Sequence, residues 1–511
     1  MTRKIENTLK IKNGQSVSLS EIPVLEYREF YAVVLRLLNA EDVHCVNYYA
    51  YPDNDNLKFI CCLADDSAQS VSLLSHILPS GKGPGELESL TRRVGALHIF
   101  ERELWENFGV KFEGHPWMKP VRFSHNRYNR IIAMHDYPFY RIKSEELHEV
   151  GVGPIHAGVI EPGYFRFTCN GEMVLHLEIQ LGWQHRGVER LFLEKPKLLQ
   201  RTMLAESIAG DTTIGHTLAF AQVMEGLSGI STDSRLDAER SIALELERIA
   251  VHTGDISALC TDVAYQLGAA VFGALRTPII NFTQEWCGNR FGKGLIRTGG
   301  SHYSLTNVLI QKLRKLLDDF EWRFKEMADK AYSLLSVENR FDNIGMVTNK
   351  QARLIGAVGM AARTSGVKRD IRHSHPFAAF RVISYVPVML EKGDVYARYY
   401  LRRLEIEESI NYIRRILDNE QFFLSETTPP VPEANLHLYP SSITVSMVEG
   451  WRGEICHSAV TDEEGNIIHY KVKDPSMHNW KALELSLRGL EISDFPINNK
   501  SYNLSYCGHD L

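Results

Sequence analysis

Thiols are the residues best able to build a shared reactive site here, and their spacing limits what they can do. Eight cysteines stand at Cys45, Cys61, Cys62, Cys169, Cys260, Cys287, Cys456 and Cys507, and no two are spaced as C-x-x-C. A thiolate-bound metal ordinarily takes at least one such pair, because two sulfurs on one turn or helix start can reach the same ion. Eight in a chain of 511 residues are also too few for a disulfide framework. Cys61 and Cys62 lie in the apolar run Lys58-Phe-Ile-Cys-Cys-Leu-Ala, where neighbouring strand side chains point to opposite faces. They read as small buried apolar residues. Gly81-Lys-Gly-Pro-Gly-Glu has glycines but not the GxxxxGK[ST] order that places amides and lysine around phosphate, so it reads as a loop. His185, in Trp183-Gln-His-Arg-Gly, reads as a packed or backbone-bonded histidine, with catalysis as the alternative.

The elements that would position such residues fall into two regions. In the first, Glu26 to Leu38 has a helical pattern, and His44 to Tyr51, Leu57 to Ala64 and Gln69 to Leu78 read as strands. A helix over Leu90 to Phe108 follows, then irregular chain from Gly109 to Phe123. Residues 124–150, rich in Arg, His and Tyr without a clear period, read as a connector. Beyond it come two hairpin strands up to Met173–Ile179, then helices over Thr213 to Leu227, Arg235 to Ala274 with a break near Gly254 or Gly268, Val308 to Leu335, and Val395 to Leu417. Along the third of these, Leu309, Leu313, Leu316, Phe320, Phe324, Met327 and Ala331 recur at spacings of three and four, the stripe of a helix packed on a core. After Pro429-Pro430, strands are expected over Ile443 to Val448, Gly453 to Ala459 and Asn466 to Val472, with a turn at Asp462 to Gly465. The expected fold class is α+β: a small N-terminal α+β domain (1–123), a connector (124–150) and a large helical-bundle domain with β-hairpins at both ends (151–511).

Composition narrows the partners. With 44% hydrophobic residues, 23% charged residues and a formal charge of -6, the chain falls in the globular class and lacks the basic excess that holds a nucleic-acid backbone. Ala264 to Ile280, the most apolar stretch, is interrupted by Gln266 and Arg276 and is too short to span a bilayer. The charged N-terminus has no signal-peptide core, so a cytoplasmic location is expected.

Several dispersed segments carry a family resemblance. Glu101-Arg-Glu-Leu-Trp-Glu-Asn-Phe-Gly-Val-Lys-Phe-Glu-Gly-His-Pro is similar to the signature of the 30-kDa subunit of respiratory complex I. Gly153-Pro-Ile-His through Glu161-Pro-Gly-Tyr-Phe, then Trp183-Gln-His-Arg-Gly-Val-Glu-Arg-Leu and Arg369-Asp-Ile-Arg-His-Ser-His-Pro-Phe, resemble the 49-kDa subunit and the related hydrogenase large subunit. In this order they resemble the large subunit of energy-converting, membrane-bound nickel-iron hydrogenases of the formate-hydrogenlyase and hydrogenase-4 type. In that family four thiolates from two C-x-x-C pairs hold nickel. Neither pair is present. The first falls on Glu206-Ser-Ile-Ala-Gly-Asp-Thr-Thr-Ile-Gly-His, with Ala209 and Thr212 in the cysteine places and His216 keeping the family's histidine. The second falls on Asn503-Leu-Ser-Tyr-Cys-Gly-His-Asp-Leu, with Ser505 and Gly508 in those places and Cys507 one position off. The resemblance therefore implies a nickel-free variant without hydrogen chemistry, and no C-terminal trimming of the kind that follows nickel insertion. The alternative, quinone chemistry of the complex I type, finds Ile160 and Gly210 where that family has its histidine and tyrosine, although another hairpin histidine is kept as His156.

What survives of the polar pattern supplies the candidate residues. Glu161 matches a proton-relaying glutamate, or is a hairpin carboxylate satisfied by nearby amides. Asp370 and Arg372 match a charged pair over the active site, or form an internal ion pair bracing the bundle. Asp211, between the two lost cysteine places, either caps the helix that follows or joins Arg372 and Glu161 in a buried cluster replacing the metal, with Asp211 facing Arg372. The implied function is a subunit of a membrane-associated, redox-driven, ion-translocating oxidoreductase complex, or a non-catalytic coupling subunit of one. This chain has no cofactor ligands, so iron-sulfur clusters are expected in partners: a small iron-sulfur subunit and a ferredoxin-like subunit, alongside integral membrane subunits of the complex I and antiporter type. The implied location is the cytoplasmic face of the inner membrane, reached through those partners.

Overall fold

The computed structural model describes residues 7–79, 86–158, 160–423, 430–432 and 434–511, so the glycine loop at 81–85 lies outside the described residues. Helix α1 (Tyr27–Leu38) lies against an antiparallel sheet built from β1 (Leu9–Ile11), β3 (Val43–Asp53), β4 (Asn56–Asp65) and β5 (Ser70–Pro79), in the order β1-β5-β4-β3. Both faces of this sheet are covered, which is why its strands read as nearly continuous apolar runs. Cys61 packs with Phe30, Tyr48 and Leu74 on the α1 side. Cys62 packs on the opposite face, in the core shared with the large bundle. The two thiols are buried and serve as apolar residues, as their pattern suggests.

The chain crosses early between its two regions. Strand β2 (Ser16–Ser18) leaves the N-terminal sheet and pairs with β11 (Ser442–Glu449), completing a second antiparallel sheet with β12 (Glu454–Thr461) and β13 (Ile467–Lys473). The two sheets meet face to face. Tyr49 Oη lies 2.7 Å from Ser458 Oγ, and the Tyr49 ring stacks on His469.

Helix α2 (His98–Phe108) is shorter than the expected Leu90–Phe108. Residues 90–94 form a turn that brings the amides of Leu90 and Thr91 back onto the Glu101 carboxylate, a contact a continuous helix over 90–101 would hold apart. The short strands β6 (Glu86–Glu88) and β7 (Lys111–Glu113) flank α2 in the chain and pair in parallel, and β8 (His148–Val152), β9 (Tyr164–Asn170) and β10 (Met173–Gln180) then form a third sheet in the order β10-β9-β8.

The bundle follows as α3 (Val188–Glu194), α4 (Leu198–Ala205), α5 (Thr213–Ser228), α6 (Ser234–Asp262), α7 (Gln266–Cys287) and α8 (Asn307–Tyr332), joined later by a helix over Val395–Asp418. The break expected at Gly254 or Gly268 falls instead at residues 263–265, where Ala264 takes φ 58°. Gly254 lies inside α6, where a Cβ on it would stand 3.2 Å from Arg276 Cδ of α7. In α8 the buried stripe holds Leu313, Phe320, Phe324, Met327 and Ala331 as expected, while Ile310 and Leu317 take the inner positions and Leu309 and Leu316 lie half-buried. The chain continues past β13 into helices over Ser476–Ser486, Phe495–Tyr502 and Tyr506–Asp510, so the expected terminal hairpin is followed by a helical segment that returns to the bundle. Among the described residues, no helix is long and apolar enough to cross a membrane.

Candidate functional site

The two segments that would carry the metal thiolates face one another across a single side chain. Between β11 and β12, residues Gly450–Gly453 close a tight turn through reciprocal backbone bonds of 2.9 and 3.0 Å. Gly453 has φ 139° and lies against Gly359, where a Cβ would come within 2.6 Å of the Gly359 Cα. The turn projects Trp451 and Arg452. Arg452 Nη1 and Nη2 donate to Asp211 Oδ1 and Oδ2 at 2.6 and 2.7 Å, Nη1 also reaches Thr212 Oγ1 at 3.0 Å, and Nε donates to the Asn503 carbonyl at 2.6 Å. The guanidinium stacks on the Trp451 ring, whose Nε1 donates to the Asp211 carbonyl. One buried cation thus ties the 209–212 loop to the 503–508 segment.

Both expected roles of Asp211 give way to this pairing. It does not cap α5, whose first free amides, Ile214 and Gly215, donate to Glu247 of α6 at 2.7 and 3.2 Å. Burial pushes the Glu247 carboxyl up to about 8, and the nearby Asp211 charge adds to the effect. Nor does Asp211 face Arg372, so the expected cluster of Asp211, Arg372 and Glu161 is not assembled.

Arg372 lies in a different charged core. It forks onto Asp370 at 2.9 and 2.7 Å and reaches Glu245 at 3.1 Å. Arg363 bonds Glu405 and Glu449 at 2.5 and 2.7 Å and approaches Asp370 at 3.3 Å, Arg248 bonds Glu245 at 3.1 Å, and His252 bonds Glu405 at 2.7 Å. The sequence pair is therefore one edge of a buried network joining α6, the Val395–Asp418 helix and β11. Its four carboxylates, Glu245, Asp370, Glu405 and Glu449, outnumber its three guanidiniums. Burial opposes ionisation of Glu405, but Arg363 and His252 hold it well below the usual range. Glu449 carries the imbalance: burial and the Asp370 charge push it up to about 7.

Glu161 stands alone among the candidates, half-buried, with Oε2 accepting the Cys507 amide at 3.0 Å. Burial and the Glu161 charge push the Cys507 thiol up to about 11, away from thiolate chemistry. His156 meets Tyr506 Oη at 3.5 Å. His185 bonds through Nδ1 to the Asp510 carbonyl at 2.7 Å, the backbone-bonded alternative. His216 is fully buried between His457 and Asp474. Ile160 and Gly210 offer no side-chain donor. Arg452, Asp474, His457 and Glu449 are the polar residues that pattern reasoning missed. The one available signal was Trp451-Arg452 between two glycines in a hairpin turn, where an arginine would be free to project.

The residues present do not fit nickel. The four positions offer a methyl group, two hydroxyls and a glycine. Ser505 Oγ accepts the Gly508 amide at 2.9 Å, so this pair of positions forms a helix cap. Thr212 Oγ1 is engaged by Arg452. A Cβ at Gly508 would stand 2.6 Å from Asp474 Oδ2, which fills the space a ligand side chain would need. A guanidinium between the loops would repel a metal cation.

Against this geometry, comparison with known proteins places the chain. Residues 26–132 match the respiratory-chain NADH dehydrogenase 30 Kd subunit family, and residues 266–510 match the 49 Kd subunit family. The chain thus carries both regions, fused in this order. It is 25% identical to hydrogenase-4 component G of Escherichia coli over 81% of this chain and 73% of that protein. It is 26% identical to the membrane-bound hydrogenase subunit alpha of Pyrococcus furiosus over 70% of this chain and 85% of that protein. A subunit of the NADH-quinone oxidoreductase of Phocaeicola vulgatus is 25% identical over 80% of this chain and 84% of its own length.

Within the 30-kDa region, the acidic signature turns out to be scaffolding. Glu101 accepts from Ser89, Leu90 and Thr91. Glu103 pairs with Arg122 and with Lys471 of β13. Glu106 accepts three successive amides, Val121, Arg122 and Phe123, at 3.1, 3.0 and 2.6 Å. Arg122 Nε in turn donates to the His509 carbonyl at 2.6 Å, so the 30-kDa signature reaches the C-terminal turn of the 49-kDa region.

Proposed function

We propose that this chain is the nickel-free large subunit of a membrane-associated, redox-driven, ion-translocating complex, and that it acts there as a coupling subunit and not as a hydrogenase. The observation that carries the reading is Arg452: a protein cation cross-links the two loops that a metal would join, while Asp474 occupies the ligand space under Gly508. The loops keep their mutual placement, and with it the surface they present to neighbours, without metal chemistry. Support for membership of such a complex comes from similarity to subunits of hydrogenase-4, formate hydrogenlyase and NADH-quinone oxidoreductase. On this reading the chain holds no cofactor, electrons travel through iron-sulfur clusters in a small subunit and a ferredoxin-like subunit, and integral membrane subunits of the antiporter type anchor it at the cytoplasmic face of the inner membrane. The test is purification of the tagged chain from its native membranes, with mass spectrometry of the partners and elemental analysis. Iron-sulfur and multi-spanning subunits should co-purify with iron but without stoichiometric nickel. Recovery as a lone chain, or with one nickel per chain, would overturn the proposal.

A further inference from the structure

Directly beneath Gly508 runs a chain of four side chains from different elements. Asp474, just past β13, meets His216 of α5 (Oδ2 to Nε2, 3.0 Å). His216 Nδ1 lies 3.1 Å from His457 Nε2 on β12, and His457 Nδ1 lies 2.8 Å from Tyr470 Oη on β13. All four residues are at most 1% exposed.

The proton positions follow from which atoms can donate. An ionised carboxylate only accepts, and Asp474 Oδ1 already accepts the Ser476 amide at 2.7 Å. His216 therefore carries its proton on Nε2, and its Nδ1, when the ring is neutral, must accept from His457 Nε2. His457 Nδ1 then accepts from the Tyr470 hydroxyl. Every donor points towards Asp474. A second complete arrangement exists with one proton more. A proton arriving at the Tyr470 oxygen releases the hydroxyl proton to His457 Nδ1, while His457 passes its Nε2 proton to His216 Nδ1. The products are an imidazolium at His216 beside the Asp474 carboxylate and a neutral His457 in the opposite tautomer, now donating to Tyr470 Oη. The balance is one proton taken up, with no ring nitrogen left unpaired in either arrangement.

Position decides which ring holds the charge. His216 has the carboxylate at hydrogen-bond distance. His457 has only His216 and Tyr470, and burial pushes it well below the ordinary histidine range. Other charged groups also act here: Arg452 from the β11–β12 turn and Arg122 from the connector side act on Asp474 and oppose loading. Glu247 and Asp211 lie at the start of α5, and Lys473 and Glu454 pair on the neighbouring strands.

We propose that Asp474, His216, His457 and Tyr470 form a one-proton store under the former metal pocket, loaded through Tyr470 and read out by the tautomer of His457. Its use in coupling rests on the function proposed above. Negative charge arriving on a partner's redox centre would favour the loaded arrangement.

The test is nitrogen-15 NMR of ring-labelled histidine in the complex purified from its membranes, titrated between about pH 5 and 9. The expected result is that His216 becomes doubly protonated and that, in the same transition, His457 switches its proton from Nε2 to Nδ1. Asp474→Asn, which removes the counter-charge, should move the midpoint down by about one pH unit or more. Tyr470→Phe leaves the loaded His457 N–H without an acceptor and should lower the midpoint by about one unit while the fold is kept. A His457 that holds one tautomer throughout, or midpoints unmoved in both variants, would overturn the store. Reduction of the iron-sulfur partner at fixed pH separates the two readings: loading on reduction supports both, and an intact titration that ignores reduction keeps the store but refutes its part in coupling.

Discussion

Arg452 and Asp211 meet in a fork-to-fork ion pair with N–O distances of 2.6 and 2.7 Å, although they stand 241 positions apart. The arginine is buried and the carboxylate side chain is 36% exposed, so the pair keeps one foot in water. Its importance is geometric more than energetic. A planar guanidinium can serve the Asp211 carboxylate, the Thr212 hydroxyl and the Asn503 carbonyl at once, where a lysine offers a single point charge.

That geometry gives a first expectation. Arg452→Gln should cost about 2 kcal/mol, less than the 3–5 typical of breaking a fully buried pair because Asp211 can be hydrated. Arg452→Lys should recover little of it. In a double-mutant cycle with Asp211→Asn, urea denaturation should show a coupling energy of about 1 kcal/mol. Additive single effects would mean that the stacking on Trp451, and not the ion pair, holds the turn.

How much of this was legible in the sequence depended on how local the cause was. The α8 stripe is a 3.6-residue period written in the chain, and its helix lies where the period puts it. Asp370 and Arg372 are two positions apart, so their pairing could be read directly, although the rest of their network could not. The start of α2 is later than its pattern suggests because the chain at Leu90 and Thr91 folds back onto Glu101. Gly254 reads as a helix break from the sequence, but it lies within α6 with the Arg276 side chain of α7 packed beside it. Asp211 pairs beyond the reach of any local pattern, since Arg452 lies 241 positions away.

Glu247 gives an expectation in pH. Its folded value of about 8 lies above the ordinary 4.5. Between those values the folded chain keeps a proton that the unfolded chain has released, so this group's contribution to stability falls as pH rises through the window. Glu247→Gln cannot ionise and should flatten that part of the profile, making the variant the more stable chain near pH 8 and leaving little difference near pH 5. Parallel thermal-unfolding profiles for variant and parent from pH 5 to 8 would refute the shift.

Glu106 tests the scaffold reading of the 30-kDa signature. Glu106→Ala strips the acceptor from three buried amides in a row, each worth about 1–3 kcal/mol when left unmet. The expected loss is about 3 kcal/mol, concentrated locally. Hydrogen exchange should accelerate at residues 121–123 and at the His509 contact with Arg122, with the α6–α8 bundle unaffected. Uniform acceleration across the bundle would instead place the signature in the global core.

Gly508 supplies the last expectation, because here a general rule should reverse. Gly508 lies in the Tyr506–Asp510 helix without a positive φ, and Gly→Ala at such a site ordinarily stabilises by about 0.5–1 kcal/mol through lower backbone entropy. Here the new methyl group would meet Asp474 Oδ2 at 2.6 Å and Cγ at 2.7 Å. Asp474 cannot swing away cheaply, since His216 and the Ser476 amide hold its two oxygens. Overpacking of this kind costs about 1–3 kcal/mol, so Gly508→Ala should destabilise by about 1–2 kcal/mol. The control is the same substitution made in an Asp474→Ala background, which removes the closer obstruction and leaves Ser505 Oγ at 2.9 Å. There the cost of Gly508→Ala should fall by most of its value, measured by chemical denaturation of each pair. An undiminished cost without the Asp474 side chain would show that Ser505 Oγ, at 2.9 Å, closes the space under Gly508, and that the carboxylate is not what excludes a larger side chain there.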